Sequence, residues 1–379
     1  MASLTFKMDA RTAMFDSPSV EAQEVLRLLA SSKNVLLSGP PGVGKTRLLS
    51  EIAAAFANGN LGSQGQPMLS HNDDVAIQDA EEAKVFRTVF HQNSKYRDFI
   101  TGLAPAIGEG KAGQFTIVEG TLFRAAQHAR QEGKSSLLVI DEINRGPAVQ
   151  VFGGAMVAIE ADKRLAPDGK PHELTQFFEV MVPSSGLIEE YALPDRLFIL
   201  AVQNQADSSV EPMDVAFLRR FEPYRLEPNE AVLRAHFQIV GGEARVLPEV
   251  PEAPTDVAEA SVRAWVAVNE RVSIGRGKDF QVGHGVLMPA WSTELSINKA
   301  TTLLAKGWDK VVAHVAEVFY GDIRSMAIAL NAADPLDFDG SPLKLVEHTF
   351  GTDLRYALEG DGTWTRDALY SGLRSIAGL

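Results

Sequence analysis

The run Gly39-Pro40-Pro41-Gly42-Val43-Gly44-Lys45-Thr46 has the residue types and spacing needed to hold a string of phosphates. Glycines let a loop turn its backbone N–H groups inward on anionic oxygens, and the positive N-terminal end of a following helix adds to that field. Lys45 is placed to neutralise the β- and γ-phosphates of a nucleotide, and the Thr46 hydroxyl to ligate Mg²⁺. Arg47 opens the helical stretch that follows. A Gly-Pro turn with an exposed lysine is the alternative, and the apolar strand before the run and the helix after it argue against that. Further along, an apolar run ends in Asp141-Glu142. Asp141 is suited to hold Mg²⁺ through water, because magnesium keeps most of its hydration shell. Glu142 is suited to orient and deprotonate an attacking water, since phosphoryl transfer needs mainly positioning and charge stabilisation. By itself an acidic pair at a strand end is more often a solvated terminus; together with the phosphate loop it reads as a hydrolytic site.

Two further groups extend this reading. Leu197–Val202 runs into Gln203-Asn204, which places the Asn204 amide between the first two sites if the strands are neighbours, where it can hold the water or the γ-phosphate. Asp214 then precedes an apolar helical turn that ends in Arg219 and Arg220. Guanidinium groups meet phosphate oxygens in a bidentate way, within one subunit or from a neighbour. The alternative is a surface pair at a helix C-terminus, favoured by the helix dipole.

The elements that must position these residues form an α/β pattern. Val35–Ser38, Leu137–Ile140 and Leu197–Val202 are the strongest strands, each running directly into a polar loop, as in a mainly parallel sheet with its ligand at the strands' carboxyl ends. Residues 1–228 are expected to form this nucleotide-binding α/β domain. Past Pro228 the apolar spacing turns helical over Glu230–Ile239, Ala258–Arg271 and Asn298–Tyr320, so 229–332 is expected to be a smaller helical lid domain. Leu247–Pro254 reads as a proline-rich loop within it. Residues 333–379 read as a short C-terminal segment with a strand near Leu343–Val346 and a helix over Thr365–Ile376. Trp265, Trp291, Trp308 and Trp364 are expected to pack the lid.

Composition narrows the function. The 379 residues contain no cysteine, which excludes disulfides, thiolate zinc sites and cysteine nucleophiles. A net charge of -13 spread over both halves is not that of a basic nucleic-acid module. No apolar run reaches membrane-spanning length and the first residues lack a signal-peptide pattern, so a cytoplasmic protein without membrane contact is expected.

With these motifs in order, the chain resembles the AAA+ family, and more narrowly its McrB branch, the NTPase subunits of modification-dependent restriction systems. The resemblance rests on Asp141-Glu142-Ile143-Asn144-Arg145, on Glu160-Ala161-Asp162-Lys163-Arg164, and on the segment from His91 through Tyr96, Asp98 and Phe99 to Gly102. Gln281-Val282-Gly283-His284 and the run Glu317 to Asp322 continue it, so that it covers roughly residues 20–330. It implies an AAA+ P-loop domain followed by a helical lid, hydrolysis of Mg²⁺-bound ATP (the AAA+ default) or GTP, and assembly into a homo-oligomeric ring, expected to be a hexamer. It also implies a separate McrC-like or effector nuclease subunit, with DNA reached only indirectly or through that partner. The branch's phosphate-facing roles fall on Asn204, Arg219 and Arg220, and its trans-acting aspartate on Asp214. The branch's loop arginine is Ser208 here, and the first arginine of its triple is Leu218. Fewer than forty residues precede the loop, so an N-terminal DNA-reading domain is not expected. A MoxR-like remodelling chaperone and a nucleotide-gated scaffold with weak hydrolysis remain alternatives.

Overall fold

A computed structural model describes residues 18–58, 82–106, 108, 113–204, 213–239, 246–332, 344–359 and 366–379. These fall into two compact units. The first comprises 18–38, 45–203 and 213–225, and the second 39–44, 204 and the described residues from 226 onward.

In the first unit the chain runs through α1 (Val20–Ser32), β1 (Asn34–Ser38), α2 (Lys45–Ala57), β2 (Glu82–Val89) and the short turn of helix α3 (Tyr96–Phe99). The hairpin β3 (Thr101–Pro105) and β4 (Phe115–Glu119) follows, then α4 (Thr121–Ala129), β5 (Lys134–Asp141), α5 (Ala148–Phe152) and α6 (Ala155–Ala158). A second hairpin, β6 (Phe178–Met181) and β7 (Ile188–Tyr191), precedes β8 (Leu197–Val202), α7 (Val215–Leu218) and β9 (Glu222–Arg225). Five strands form one sheet in the order β2-β5-β8-β1-β9, with every neighbouring pair parallel. The mainly parallel α/β fold expected from sequence is therefore the fold observed.

Burial explains which strands were legible. β1 and β8 are buried at every residue and β5 at all but its ends, which is why they read as continuous apolar runs. Edge strand β2 alternates exposed and half-buried residues, and the sequence reading passed over it. So were β9 and the two hairpins. One face of the sheet is packed by an aromatic chain in which Phe99 meets Phe152 at 4.7 Å, Phe152 meets Phe217 at 5.0 Å and Phe217 meets Phe221 at 5.3 Å between ring centroids. This chain ties α3, α5 and α7 together. At the amino ends of the strands Arg164 is fully buried and donates to Ile159 O, Leu197 O and Asn34 Oδ1.

The second unit contains α8 (Glu230–His236), α9 (Pro254–Gly275), α10 (Ile297–Val318), α11 (Ile323–Ala329), the hairpin β10 (Lys344–Phe350) and β11 (Asp353–Glu359), and α12 (Arg366–Ala377). Pro254 does not end the loop that the sequence suggested; it is the first residue of α9, where its missing N–H is not needed. Trp265 and Trp308 are buried in this core, and Trp291 packs edge-on against Phe237 at 4.8 Å. Trp364 lies outside the described residues, as do Leu343 and Thr365. Leu369, Tyr370, Leu373 and Ile376 of α12 join the same core, so the segment read as a separate tail contributes one of its helices. Among the described residues no helix is long and apolar enough to cross a membrane.

Candidate nucleotide site

β1 leads into the loop of residues 39–44, and α2 begins at Lys45. Gly42 and Gly44 have φ of +79° and +91°, a region that residues with a Cβ rarely adopt, so glycine is required at both for the loop to turn. Pro40 and Pro41 have no N–H, so the amides the run can offer an anion come mainly from Gly42 through Thr46. The last two belong to the first turn of α2, whose N–H groups have no partner within the helix.

Lys45 is 9% exposed although it is a lysine. Burial lowers its pKa to about 8, while the carboxylates of Glu142 and Asp141 pull the other way. The same observation places all three groups in one electrostatic environment. A bound triphosphate favours the charged lysine. Affinity for Mg-ATP is therefore expected to be greatest below pH 8 and to fall as pH rises past it and the empty site loses its proton. Titrations from about pH 7 to about pH 9.5 check this. A Lys45→Met variant, which binds weakly, should show no such profile.

The acidic pair sits at a sharp corner. Asp141 is the last residue of β5, and Glu142 takes a left-handed conformation, φ 51° and ψ 43°, before the single 3-10 turn Ile143–Arg145. An L-residue held there costs about 1–2 kcal/mol, the kind of strain that persists where geometry serves a site. Asp141 Oδ1 accepts from the Glu142 N–H at 3.0 Å. Arg145 Nε donates to Glu142 Oε2 at 3.0 Å. That pair was missed in the sequence, although its i, i+3 spacing in a helical turn was a usable signal.

One hydroxyl and one carboxylate suit Mg²⁺, which binds through one or two protein oxygens, substrate phosphates and water. Thr46 and Asp141 would be the residues to hold it, and it would supply charge neutralisation at the phosphates. Among the described residues no group of three or more His, Asp or Glu side chains forms a metal site on its own.

β8 lies between β5 and β1, and the Gln203 N–H donates to Leu37 O at 3.0 Å, prolonging the β8–β1 pairing past the strand end. Asn204 follows directly, half-buried. The strand that carries it is a direct neighbour of both β5 and β1. Gln205 through Ser209, with the Ser208 departure, lie outside the described residues.

The two arginines after α7 differ. Arg220 pairs with Glu160 at 2.9 Å and also donates to Ala216 O, with a side chain 5% exposed. It is thus bound within its own unit, buried against a carboxylate rather than lying on the surface. Arg219 is exposed. Both line an open pocket of about 440 Å³ with Ser32, Glu160 and Glu222. Asp214 caps α7, its Oδ1 accepting from Ala216 N at 2.6 Å and Phe217 N at 3.2 Å, so this carboxylate has a local structural task. Leu218 is half-buried and packs against the aromatic core, a place where an arginine would need a partner. His91 accepts from Asn93 N at 3.2 Å in an exposed turn, and His284 accepts from Asn229 N at 3.2 Å. Both histidines hold backbone in these contacts.

Comparison with known proteins agrees with this geometry. Residues 34–221 match the model of the AAA domain of the dynein-related subfamily. The type IV methyl-directed restriction enzyme EcoKMcrB subunit of Escherichia coli (strain K12) is 29% identical over 212 residues, 56% of this chain and 39% of that protein. The type II restriction enzyme BsuMI component YdiS of Bacillus subtilis (strain 168) is 26% identical over 207 residues, 52% of this chain and 58% of that protein. The chain thus spans less than two thirds of either relative. C. elegans PCH-2 is similar in structure at a TM-score of 0.33 and 11% identity over 77% of this chain and 69% of that one, a level that carries no functional weight. With its loop, acidic corner and parallel sheet in place, the segment 34–221 is an AAA domain of the dynein-related subfamily.

Proposed function

We propose that the chain is a ring-forming AAA+ nucleoside triphosphatase that serves as the motor or assembly subunit of an McrB-like restriction or anti-phage defence complex. The observation that carries the hydrolytic part is the convergence of Lys45, Asp141 and Glu142, an acidic corner facing a buried lysine at the loop's end. Lys45 and the loop amides bind the phosphates of ATP or GTP. Thr46 and Asp141 hold Mg²⁺, Glu142 takes the proton of the attacking water, and Asn204 holds that water in line. The likeness to two restriction-system components supports the biological setting. A separate nuclease-bearing partner then supplies DNA cleavage.

The ring part of the proposal is supported by the arginines. Arg220 is committed to Glu160, which leaves exposed Arg219 as the group to complete a neighbour's site. Turnover per chain is expected to rise with protein concentration, and Arg219→Ala is expected to lower it about 10²-fold or more with little change in nucleotide affinity. Native mass measured with ATP, with GTP and without nucleotide reads ring size and base preference together. Turnover independent of concentration, with Arg219→Ala at wild-type rate, would remove the shared site from the proposal and favour a subunit that hydrolyses alone.

A further inference from the structure

The phosphate-binding loop of residues 39–44 is held by a glycine turn within the same second unit. The Gly283 N–H donates to Pro41 O at 2.9 Å, and the Gly285 N–H donates to Gly42 O at 2.9 Å. The approach leaves no room for side chains. A Cβ on Gly283 would lie 2.0 Å from the Gly42 carbonyl carbon, and one on Gly285 would lie 2.8 Å from the Gly42 oxygen. The turn is itself anchored through Val282. Asn269 Oδ1 accepts from Val282 N at 2.6 Å, while Asn269 Nδ2 and Trp265 Nε1 each donate to Val282 O at 3.0 Å. Asn269 and Trp265 belong to α9 and are 4% and 2% exposed, so this anchor reaches into the unit's core.

A trans peptide plane points its C=O and its N–H in opposite directions. Pinning the Pro41 and Gly42 carbonyls toward the turn therefore directs the Gly42 and Val43 N–H groups away from it. Those amides are among the few the loop can offer, because Pro40 and Pro41 offer none. Donors fixed in advance bind an anion without the entropy cost of ordering them at the moment of binding.

We propose that the Gly283–Gly285 turn, anchored by Asn269, is a positioning device that presets the Gly42 and Val43 amides for phosphate and reports nucleotide occupancy to α9 in the core of the same unit. The proposal rests on the reading of residues 39–46 as a nucleotide site. Linkage makes the effect reciprocal: if the turn strengthens nucleotide binding, bound nucleotide must tighten the turn to the same extent. Asn269, Gly283 and Gly285 act through the loop and are positioning residues.

Calorimetric titration of Mg-ATP and Mg-GTP into the full chain tests this, using Gly283→Ala, Gly285→Ala, Asn269→Ala and a Ser261→Ala control, with Tm measured for each. The Ser261 hydroxyl accepts from Trp308 Nε1 at 3.1 Å, so its loss weakens the same core without touching the turn. Gly283→Ala and Asn269→Ala are expected to raise Kd about tenfold or more, and Gly285→Ala less, while Ser261→Ala lowers Tm at unchanged Kd. Hydrogen exchange in the 281–287 segment should slow on nucleotide binding in the wild type and not in Asn269→Ala. Gly285→Ala and Asn269→Ala keep the test open if Gly283→Ala does not fold. Wild-type Kd in the turn variants, or a Kd that tracks Tm across all four, overturns the device. Wild-type protein that binds neither nucleotide instead overturns the phosphate-site reading, and the device with it.

Discussion

Replacing Glu142 with glutamine is expected to lower nucleotide turnover about 10²-fold or more and to leave Mg-NTP affinity within a few-fold of wild type. Glutamine keeps the size of the side chain and an oxygen that can accept from Arg145, but it cannot take a proton from water. The corner itself is retained, because its hydrogen bond runs from the backbone N–H of residue 142 to Asp141 Oδ1. The left-handed conformation is no harder for glutamine than for glutamate, so the fold is spared. A second consequence separates this variant from a binding defect. Glu142 is the stronger of the two carboxylates holding the Lys45 pKa up against burial. Its neutralisation drops that pKa further below 8, so the loss of affinity with rising pH should begin earlier in Glu142→Gln than in the wild type. Single-turnover hydrolysis with parallel binding titrations at two pH values checks both. Hydrolysis at the wild-type rate would mean that another group activates the water.

The parts of this site that were legible in the sequence are those in which chemistry demands neighbouring residues. The loop from Gly39 to Thr46 and the pair Asp141-Glu142 are each a contiguous run, because a phosphate-binding loop draws its amides from successive residues and an acidic corner draws both carboxylates from one strand end. The strands behind them were legible for a different reason: β1, β5 and β8 are covered on both faces and must be apolar throughout. What stayed hidden depends on contacts between distant residues. Nothing local in Arg220 announces that Glu160, sixty positions earlier, will claim it. The glycines at 283 and 285 read only as part of a motif until their N–H groups are found on the Pro41 and Gly42 carbonyls. Hairpin β10–β11 was half seen, because little of either strand is buried: one leucine from each, Leu345 and Leu358, packs against the core. The proline-rich loop was placed correctly, and its last residue misassigned, because proline both ends loops and begins helices.

Arg164→Met is expected to be among the most damaging substitutions to stability, lowering that of the α/β unit by about 2 kcal/mol or more, although Arg164 lies far from the phosphate-binding run in the chain. The sequence offered Arg164 only as the end of a charged run. In the fold its side chain has no solvent exposure, and its guanidinium donates to the carbonyls of Ile159 and Leu197 and to Asn34 Oδ1. Burial lowers its pKa to about 10, with Asp195 opposing, so it is charged at neutral pH. Asn34, the first residue of β1, in turn donates to Ile159 O at 2.8 Å and to Arg220 O at 3.0 Å. One planar donor thus fastens the starts of β1 and β8 to the end of α6, and through Asn34 to the backbone beside Arg219. Methionine fills similar volume and donates nothing, which takes this donor from Leu197 O and Asn34 Oδ1 and leaves Ile159 O with the Asn34 amide alone. Lysine keeps the charge but replaces a rigid fork with a single ammonium that cannot reach all three acceptors, so Arg164→Lys should fall between Met and wild type. Denaturant unfolding followed separately in the two units locates the loss. Midpoints for the α/β unit unchanged in Arg164→Met would show that the three acceptors find other donors. A loss in both variants, with Arg219-dependent turnover falling alongside it at permissive temperature, would show that the strand starts and the arginine surface are held by the same buried group.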